Sequence, residues 1–369
     1  MIFNRGSALC GIYRPRLSNI VNSELASCRR RGEPRLYGRG WRLLLSAAFV
    51  AAVLMPQSWA QTCLSAGDMD AATRTALESA GRRYFEMAAR GDIASLRQNA
   101  IPSLANDFSG VENAVKENQA NFAGAQGTPR PPFLLQESGT APAQRAEFFC
   151  GVFGASGQTA NSAVFVISNL ASGNYGIVIV DVPTSKGAYT LSFVLQQMGT
   201  DWKLGGFFAR PAQVAGHDAN WFIQQARAFK AKGQTHNAWF YYREAGELMA
   251  ALPFMSTLAT DKLYDEAQAA QPSDLPSNGP IDLPAAGGKT YKVTTIFPLA
   301  VGNDLDVVVK YQYPDVSNTA QTFQDNITVI KALVAKYPEL RDAFAGVVAR
   351  AVEPSGRDYG TLLPMKDVK

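Results

Sequence analysis

His217 and His236 are the two histidines in this chain of 369 residues. Histidine changes charge near neutral pH, so each is weighed first as a general base or a metal ligand. His217 stands beside Asp218, a pairing that suits either task. No Cys, Glu or second His lies at ligand spacing, and Asp218 is placed to cap the helix that follows. His236 falls in the first turn of the next helix. The sequence therefore assigns both a structural role, and it assigns no metal and no cofactor. Nucleophile and phosphate motifs are missing as well. The chain has no Gly-x-Ser-x-Gly, no Ser-x-x-Lys with supporting boxes, and no glycine loop ending in Gly-Lys-Ser or Gly-Lys-Thr. The glycine-rich run from Gly151 to Gly157 does not open a helix after a parallel strand, so it reads as a hairpin loop.

The N-terminal residues explain themselves as an export signal. Arg39 and Arg42 precede a thirteen-residue apolar run, Leu43 to Met55, and then come Pro56 and the small-x-small triplet Ser58-Trp59-Ala60. The run is short of the roughly 20 residues a bilayer span needs. Cleavage after Ala60 is the expectation, with retention as an N-terminal anchor the alternative. The first 38 residues are long for such a leader and suggest an over-called gene start. No lipoprotein pattern precedes Cys63. Cleavage leaves two cysteines, Cys63 and Cys150. An even pair in an oxidising compartment predicts a disulfide tying the mature N-terminus to the strand Phe148-Phe149-Cys150, the alternative being two unpaired thiols.

The formal net charge of +4 is concentrated at the head. Residues 1–42 hold nine Arg and two Glu, and residues 61–369 hold 26 Lys and Arg against 29 Asp and Glu, a net of −3. A mildly acidic body removes the electrostatic case for nucleic-acid binding. Charged residues make up 18% of the chain, below the usual quarter, so the surface is rich in amides and hydroxyls.

These residues need a scaffold, and the run 160–208 supplies its centre. It reads as an up-and-down meander of Ala163–Leu170, Tyr175–Val182 and Tyr189–Met198, with a fourth piece at Trp202–Phe208. Turn residues fill the gaps: Gly173-Asn174, Pro183 to Gly187, and Gly199-Thr200-Asp201. Before it come three helices, marked by Leu77, Tyr84 and Phe85, by Ile93, Leu96 and Ile101 (disturbed by Pro102), and by Val111, Val115 and Phe122. Strand-like runs at 132–137 and 145–153 lie between. Three helices followed by a curved antiparallel sheet, closed by Gly199-Thr200-Asp201-Trp202-Lys203-Leu204-Gly205-Gly206-Phe207, resemble the NTF2-like (cystatin-like cone) fold over residues 70–210. The resemblance implies an apolar cavity that in some relatives holds a Tyr and Asp acid–base pair. Tyr84 is the cavity candidate; a core tyrosine with its hydroxyl at the rim is the other reading.

The most specific pattern follows. Phe222, Ala226, Phe229, Gly233, Ala238, Tyr242 and Ala245 resemble the large–small–aromatic–Gly–Ala–aromatic–Ala positions of one tetratricopeptide (TPR) repeat. A capping-type helix is expected at Thr257–Ala269. The repeat's proline is displaced, with Ala250 in its place and Pro253 three residues late. A lone repeat cannot bury its own core, so it must dock, and the cone is the expected surface. By the same resemblance Asn220, Ile223, Arg227 and Lys230 line a concave face, where Asn220, Arg227 and Lys230 clamp a carboxylate or peptide terminus, or form a solvated polar face. Trp221, Trp239, Phe240 and Tyr241 cluster either to dock the hairpin or to line a partner groove. Partner-binding candidates are therefore Asn220, Arg227, Lys230 and Trp239.

Residues 271–288 carry four Pro and three Gly and read as a linker. Beyond it a small ββαββ module is expected: strands at 290–298 and 305–313, a helix with Phe323, Ile327, Ile330, Val334 and Tyr337 inward, and a hairpin of 344–352 with 359–364. The expected class is α+β, in five parts: an export signal (1–60), an NTF2-like domain (61–215), a TPR-like hairpin with its capping helix (216–270), the linker (271–288), and the C-terminal module (289–369). The expected function is an exported bacterial envelope protein that binds or scaffolds another envelope protein or peptide, with membrane contact only if the leader stays attached. A cone-cavity isomerase or hydrolase acting on a small apolar substrate is the alternative.

Overall fold

Aspartate caps and glycine stops set the first helices. The computed structural model describes residues 61–185 and 187–369; the export signal expected over 1–60 lies outside the described residues. After β1 (Gln61–Leu64) comes α1 (Ala71–Ala89), capped where Asp70 accepts the Thr73 N–H at 2.8 Å. The chain leaves α1 through Gly91 at φ +68°. Then follow α2 (Ile93–Gln98), α3 (Pro102–Asn106) and α4 (Ser109–Phe122). Pro102 does not spoil a helix: it begins α3, where its missing N–H has no partner to lose. Four helices, not three, therefore lie between β1 and the strands that follow.

The strands are β2 (Thr128–Pro129), β3 (Phe133–Glu137), β4 (Ala143–Gly154), β5 (Gly157–Leu170), β6 (Gly173–Thr184), β7 (Gly187–Met198) and β8 (Asp201–Pro211). The main sheet runs β1-β3-β6-β7-β8, with β2 also on β6, and every pair in it is antiparallel. The expected meander is corrected at its first strand. Ala163–Leu170 is the end of β5, which pairs with β4 in a second sheet instead of with β6. Two residues of positive φ, Asn169 (+52°) and Gly173 (+144°), flank the turn where the chain changes sheets.

That change leaves the main sheet covered on both faces. Val178, Val180 and Val182 of β6 join a core with Leu77, Tyr84, Phe85 and Val115 of the helices. Ile177 and Ile179 point the other way, into a core with Phe148, Phe165 and Ile167 of the second sheet. The period-two alternation thus serves two apolar layers, which is why β6 reads as a continuous hydrophobic run. Helix α1 approaches β6 so closely that glycine fills both contact points. A Cβ on Gly81 would lie 2.4 Å from Val178 Cγ1, and one on Gly176 would lie 2.2 Å from Leu77 Cδ2. Cys63 of β1 and Cys150 of β4 form the expected disulfide, which joins the edges of the two sheets.

The second half continues through β9 (Gln213–Val214), β10 (His217–Asp218), α5 (Ala219–Ala231), α6 (Thr235–Met249), β11 (Met255–Thr257) and α7 (Leu258–Gln268). Next come β12 (Ile281–Pro284), β13 (Thr290–Val301), β14 (Asp304–Gln312), α8 (Thr319–Lys336), β15 (Gly346–Val352) and β16 (Asp358–Pro364). The last five strands form a sheet in the order β12-β13-β14-β15-β16, in which β14 and β15 are parallel across α8 and the other pairs antiparallel. β11 returns to pair with β5, so the chain after α6 rejoins the N-terminal sheets.

Two expectations change here. The helical hairpin docks its core on the C-terminal sheet, not on the N-terminal one: Phe240 and Tyr241 pack on Phe344, and the Tyr241 hydroxyl donates to Ala343 O at 2.7 Å. Residues 271–288 are no slack tether, because Leu275 is buried in the same core and β12 adds a strand to β13. The chain from Gln61 to Lys369 lies in one compact unit. Its class is mixed α+β, with eight α-helices among the described residues and several sheets, none closed.

Candidate binding site

A tight hairpin presents the first histidine. β9 and β10 pair across Ala215 and Gly216, both at positive φ (+49° and +77°), the twist a two-residue hairpin loop requires. Glycine adopts this freely, whereas Ala215 holds a left-handed backbone at a cost of about 1–2 kcal/mol. The hairpin delivers His217 one residue ahead of α5, where Asp218 Oδ1 accepts the Trp221 N–H at 2.9 Å as the expected cap. One turn on, the Trp221 indole lies parallel to the His217 ring at 3.6 Å and 7°. Trp221 meets Phe222 edge-on at 5.0 Å and leans on Tyr241 at 6.0 Å. Burial pushes the Tyr241 hydroxyl up to about 12, so it remains a neutral donor at any physiological pH.

Across from this stack lie Asn303, Asp304 and Leu305 at the β13–β14 turn, with Ala343 and Ala345 ahead of β15. Together they enclose a cleft of about 180 Å³, which is below the roughly 300–1,000 Å³ of small-molecule pockets. Among the described residues, the side chains of His217, Asn303 and Asp304 make no hydrogen bond. The arrangement has an aromatic floor, a polar rim and space for one inserted side chain.

The residues expected to form a carboxylate clamp are placed differently. Asn220 and Lys230 are exposed on α5. Arg227 is spent: its guanidinium holds Glu266 of α7 in two bonds of 2.9 and 2.7 Å, and Glu266 also accepts from the Tyr242 hydroxyl at 3.2 Å. Trp239, on α6, is half-buried under the Arg243 guanidinium at 5.8 Å. Tyr84 is fully buried, and its hydroxyl donates toward the backbone carbonyls of Trp202 (2.8 Å) and Asn99 (3.0 Å). Burial raises its pKa.

His236 is a joint. Its Nδ1 lies 2.8 Å from Glu339 Oε1 and its Nε2 lies 2.8 Å from Asp274 Oδ1. The ring thus bridges two carboxyl groups, one at each nitrogen. The Tyr337 ring packs beside it at 4.4 Å, and the Tyr337 hydroxyl donates to Asp274 O at 2.9 Å. The cluster pins α6 to the segment ahead of β12 and to the turn between α8 and β15.

Sequence reasoning missed the richest ionisable network. Asp325, buried on α8, accepts from Lys289 Nζ (2.6 Å), the Tyr291 hydroxyl (2.7 Å), the Tyr313 hydroxyl (2.8 Å) and Gln321 Nε2 (3.1 Å). Its neighbour Asn326 accepts from the Tyr311 hydroxyl at 2.8 Å and donates to Thr361 Oγ1 at 2.9 Å. Burial pushes the Asp325 pKa up, but the four donors outweigh it and hold the carboxyl well below its usual range. The tyrosines at alternating positions 311 and 313 were the available signal. Four donors quench this carboxylate as a base, so the network ties α8 to its sheet.

No group of three or more His, Cys, Asp or Glu among the described residues is arranged to hold a metal ion, and no helix there is long and apolar enough to cross a membrane. Compared with known protein families, curated proteins and solved structures, the chain matches none.

Proposed function

We propose that this protein is an exported binding and scaffolding protein of a bacterial envelope and carries out no reaction of its own. In this reading residues 61–215 are an NTF2-like domain, α5 and α6 are a TPR-like hairpin, and the His217–Trp221 cleft receives one side chain of a partner protein or peptide. The observation that carries it is the contrast in hydrogen bonding. The carboxylate of Asp325, the imidazole of His236 and the hydroxyl of Tyr84 are each committed to internal partners. The polar rim of a cleft large enough for one side chain, His217, Asn303 and Asp304, has no such partner among the described residues. A binding rim needs unpaired donors and acceptors, and this cleft supplies them. The exported location is supported by the leader sequence and by the disulfide.

Chemical crosslinking in envelope fractions followed by mass spectrometry tests this reading. Crosslinks from a single partner that map to residues 217–221 and 303–305, and that are lost in His217→Ala and Asn303→Arg, are the expected result. Turnover of a small apolar substrate that is lost in Tyr84→Phe would overturn it.

A further inference from the structure

Glu137, the last residue of β3, is a buried carboxyl with an incomplete set of partners. It is 3% exposed, and its Oε1 accepts the Gly139 N–H at 2.8 Å. Its Oε2 is shut off from solvent as well and has no partner among the described residues. The neighbouring Tyr175 hydroxyl donates to Ala171 O at 2.8 Å instead. A buried carboxylate held on one side only is costly, and a cation beside it relieves that cost.

The residue opposite Glu137 in the ladder is Gln61, its register partner across β1 and β3. Such partners stand about 4.5–5.5 Å apart at Cα, with both side chains on one face. Here that face looks toward the second sheet. Leu135, two residues before Glu137, shares a core with Cys150, and Cys63, two residues after Gln61, is bonded to Cys150. Gln61 is held from a third direction too, because its Oε1 accepts the Glu147 N–H of β4 at 3.0 Å. The backbone nitrogen of residue 61 is therefore fixed about one side chain's length from Glu137. Gln61 is also the residue that follows Ala60, where the leader is expected to be cut.

We propose that the ammonium group freed at Gln61 by leader cleavage pairs with Glu137, so that processing itself locks β1 onto β3. The inference rests on the exported reading given above. A leader peptidase adds one water across the Ala60–Gln61 bond. The C–N bond breaks, Ala60 leaves as a carboxylate, and Gln61 keeps the nitrogen as an amine that is protonated at neutral pH. A neutral amide with one N–H thus becomes a cation with three, beside a carboxylate oxygen that lacks a donor. Hydrogen bonds between charged groups are about twice as strong as neutral ones. The uncut chain has no charge to offer at this position, so the mature chain is the more stable of the two.

Export of the full chain from a bacterial host, followed by intact mass of the purified protein, reads where the mature chain starts. The expected start is Gln61 with its amine free. A second chain, with Ser-Gly inserted between Ala60 and Gln61, moves the ammonium out of register and leaves every folded residue in place. Urea unfolding of both chains, each with and without Glu137→Gln, forms a double-mutant cycle. With Glu137 present, the insertion is expected to lower the folding equilibrium constant by about 10–100-fold. With Gln at 137, it should change that constant by about twofold or less. Effects of the insertion and of Glu137→Gln that simply add overturn the pairing and leave the leader reading intact. So does a chain that starts at Gln61 with its amine closed into a lactam by loss of ammonia. A chain that starts elsewhere overturns the pairing and the leader reading together.

Discussion

Cys63 of β1 is bonded to Cys150 of β4 across 87 residues of chain, and the bond joins the edges of two different sheets. Closing a loop of that length restricts the unfolded chain by about 4–5 kcal/mol in the chain-entropy description, an upper figure. Cys63→Ser with Cys150→Ser is expected to lower the urea midpoint by several tenths of a molar or more, with the slope little changed. Unfolding of wild type with and without reductant measures it. A reduced protein as stable as the oxidised one would contradict the two-sheet staple.

Asp325 gives the fold a sensitivity to acid. Its folded pKa is depressed, so its contribution is present above the unfolded carboxylate value of about 4 and is lost as pH falls through that range toward the folded value. Asp325→Asn removes the charge while keeping the shape, and is expected to cost about 2–4 kcal/mol at pH 7. The gap between wild type and variant should narrow at pH 3. Thermal melts at the two pH values show whether it does.

Glu244 on α6 behaves in the opposite sense. Burial, then the neighbouring Glu247, raise its carboxyl to about 7, with Arg243 opposing. A carboxyl raised in the folded state stabilises fully below its unfolded value of about 4 and loses that contribution as pH climbs through about 7. Glu244→Gln should therefore be neutral at pH 4 and stabilising at pH 8.5, by about 1–2 kcal/mol because the group is only half-buried. Chemical denaturation across pH 4–9 resolves the crossover.

Glycine at 81 is a packing requirement rather than a turn. An added methyl would meet Val178 Cγ1 at 2.4 Å, so Gly81→Ala must push α1 off β6 despite alanine's better helix propensity. The expected loss is about 1–3 kcal/mol, read by the same denaturation experiment. A stabilised variant would mean that α1 sits further out.

His236 closes the joint between α6 and the C-terminal sheet. His236→Ala leaves Asp274 and Glu339 without their shared donor and is expected to cost about 2–3 kcal/mol. Faster amide exchange confined to residues 271–284 and 337–345 is the signature that separates loosening of the joint from global destabilisation.

Local patterning was legible where one face of an element meets one layer. The cap Asp218, the inward residues Phe222, Ala226 and Phe229 of α5, and the cysteine pair all follow from spacing or compartment. Legibility failed where a layer was unknown. Nothing in residues 163–170 says that β5 pairs with β4 rather than with β6, because both sheets want the same apolar strand. On α8 the periodicity favoured Phe323 and Ile327, yet Phe323 is exposed, and the face turned to the sheet carries Thr322, Asp325, Asn326 and Val329. The tyrosines of β13 and β14 make those polar residues the better partners, and that requires knowing which strands they face. The cleft was hidden for a similar reason: its two walls are separated by about 80 residues of sequence, and only docking of the hairpin on the C-terminal sheet brings them together.

The sandwiching of β6 and β7 between helices and a second sheet has a consequence for how the molecule breathes. Amide protons on those strands can reach solvent only when the whole architecture comes apart, while the tip of the β4–β5 arm, where Val152 is 64% exposed, trades its protons almost freely. Thermal fluctuation therefore peels this protein from its rim inward, and proteases will find the arm long before they find the centre.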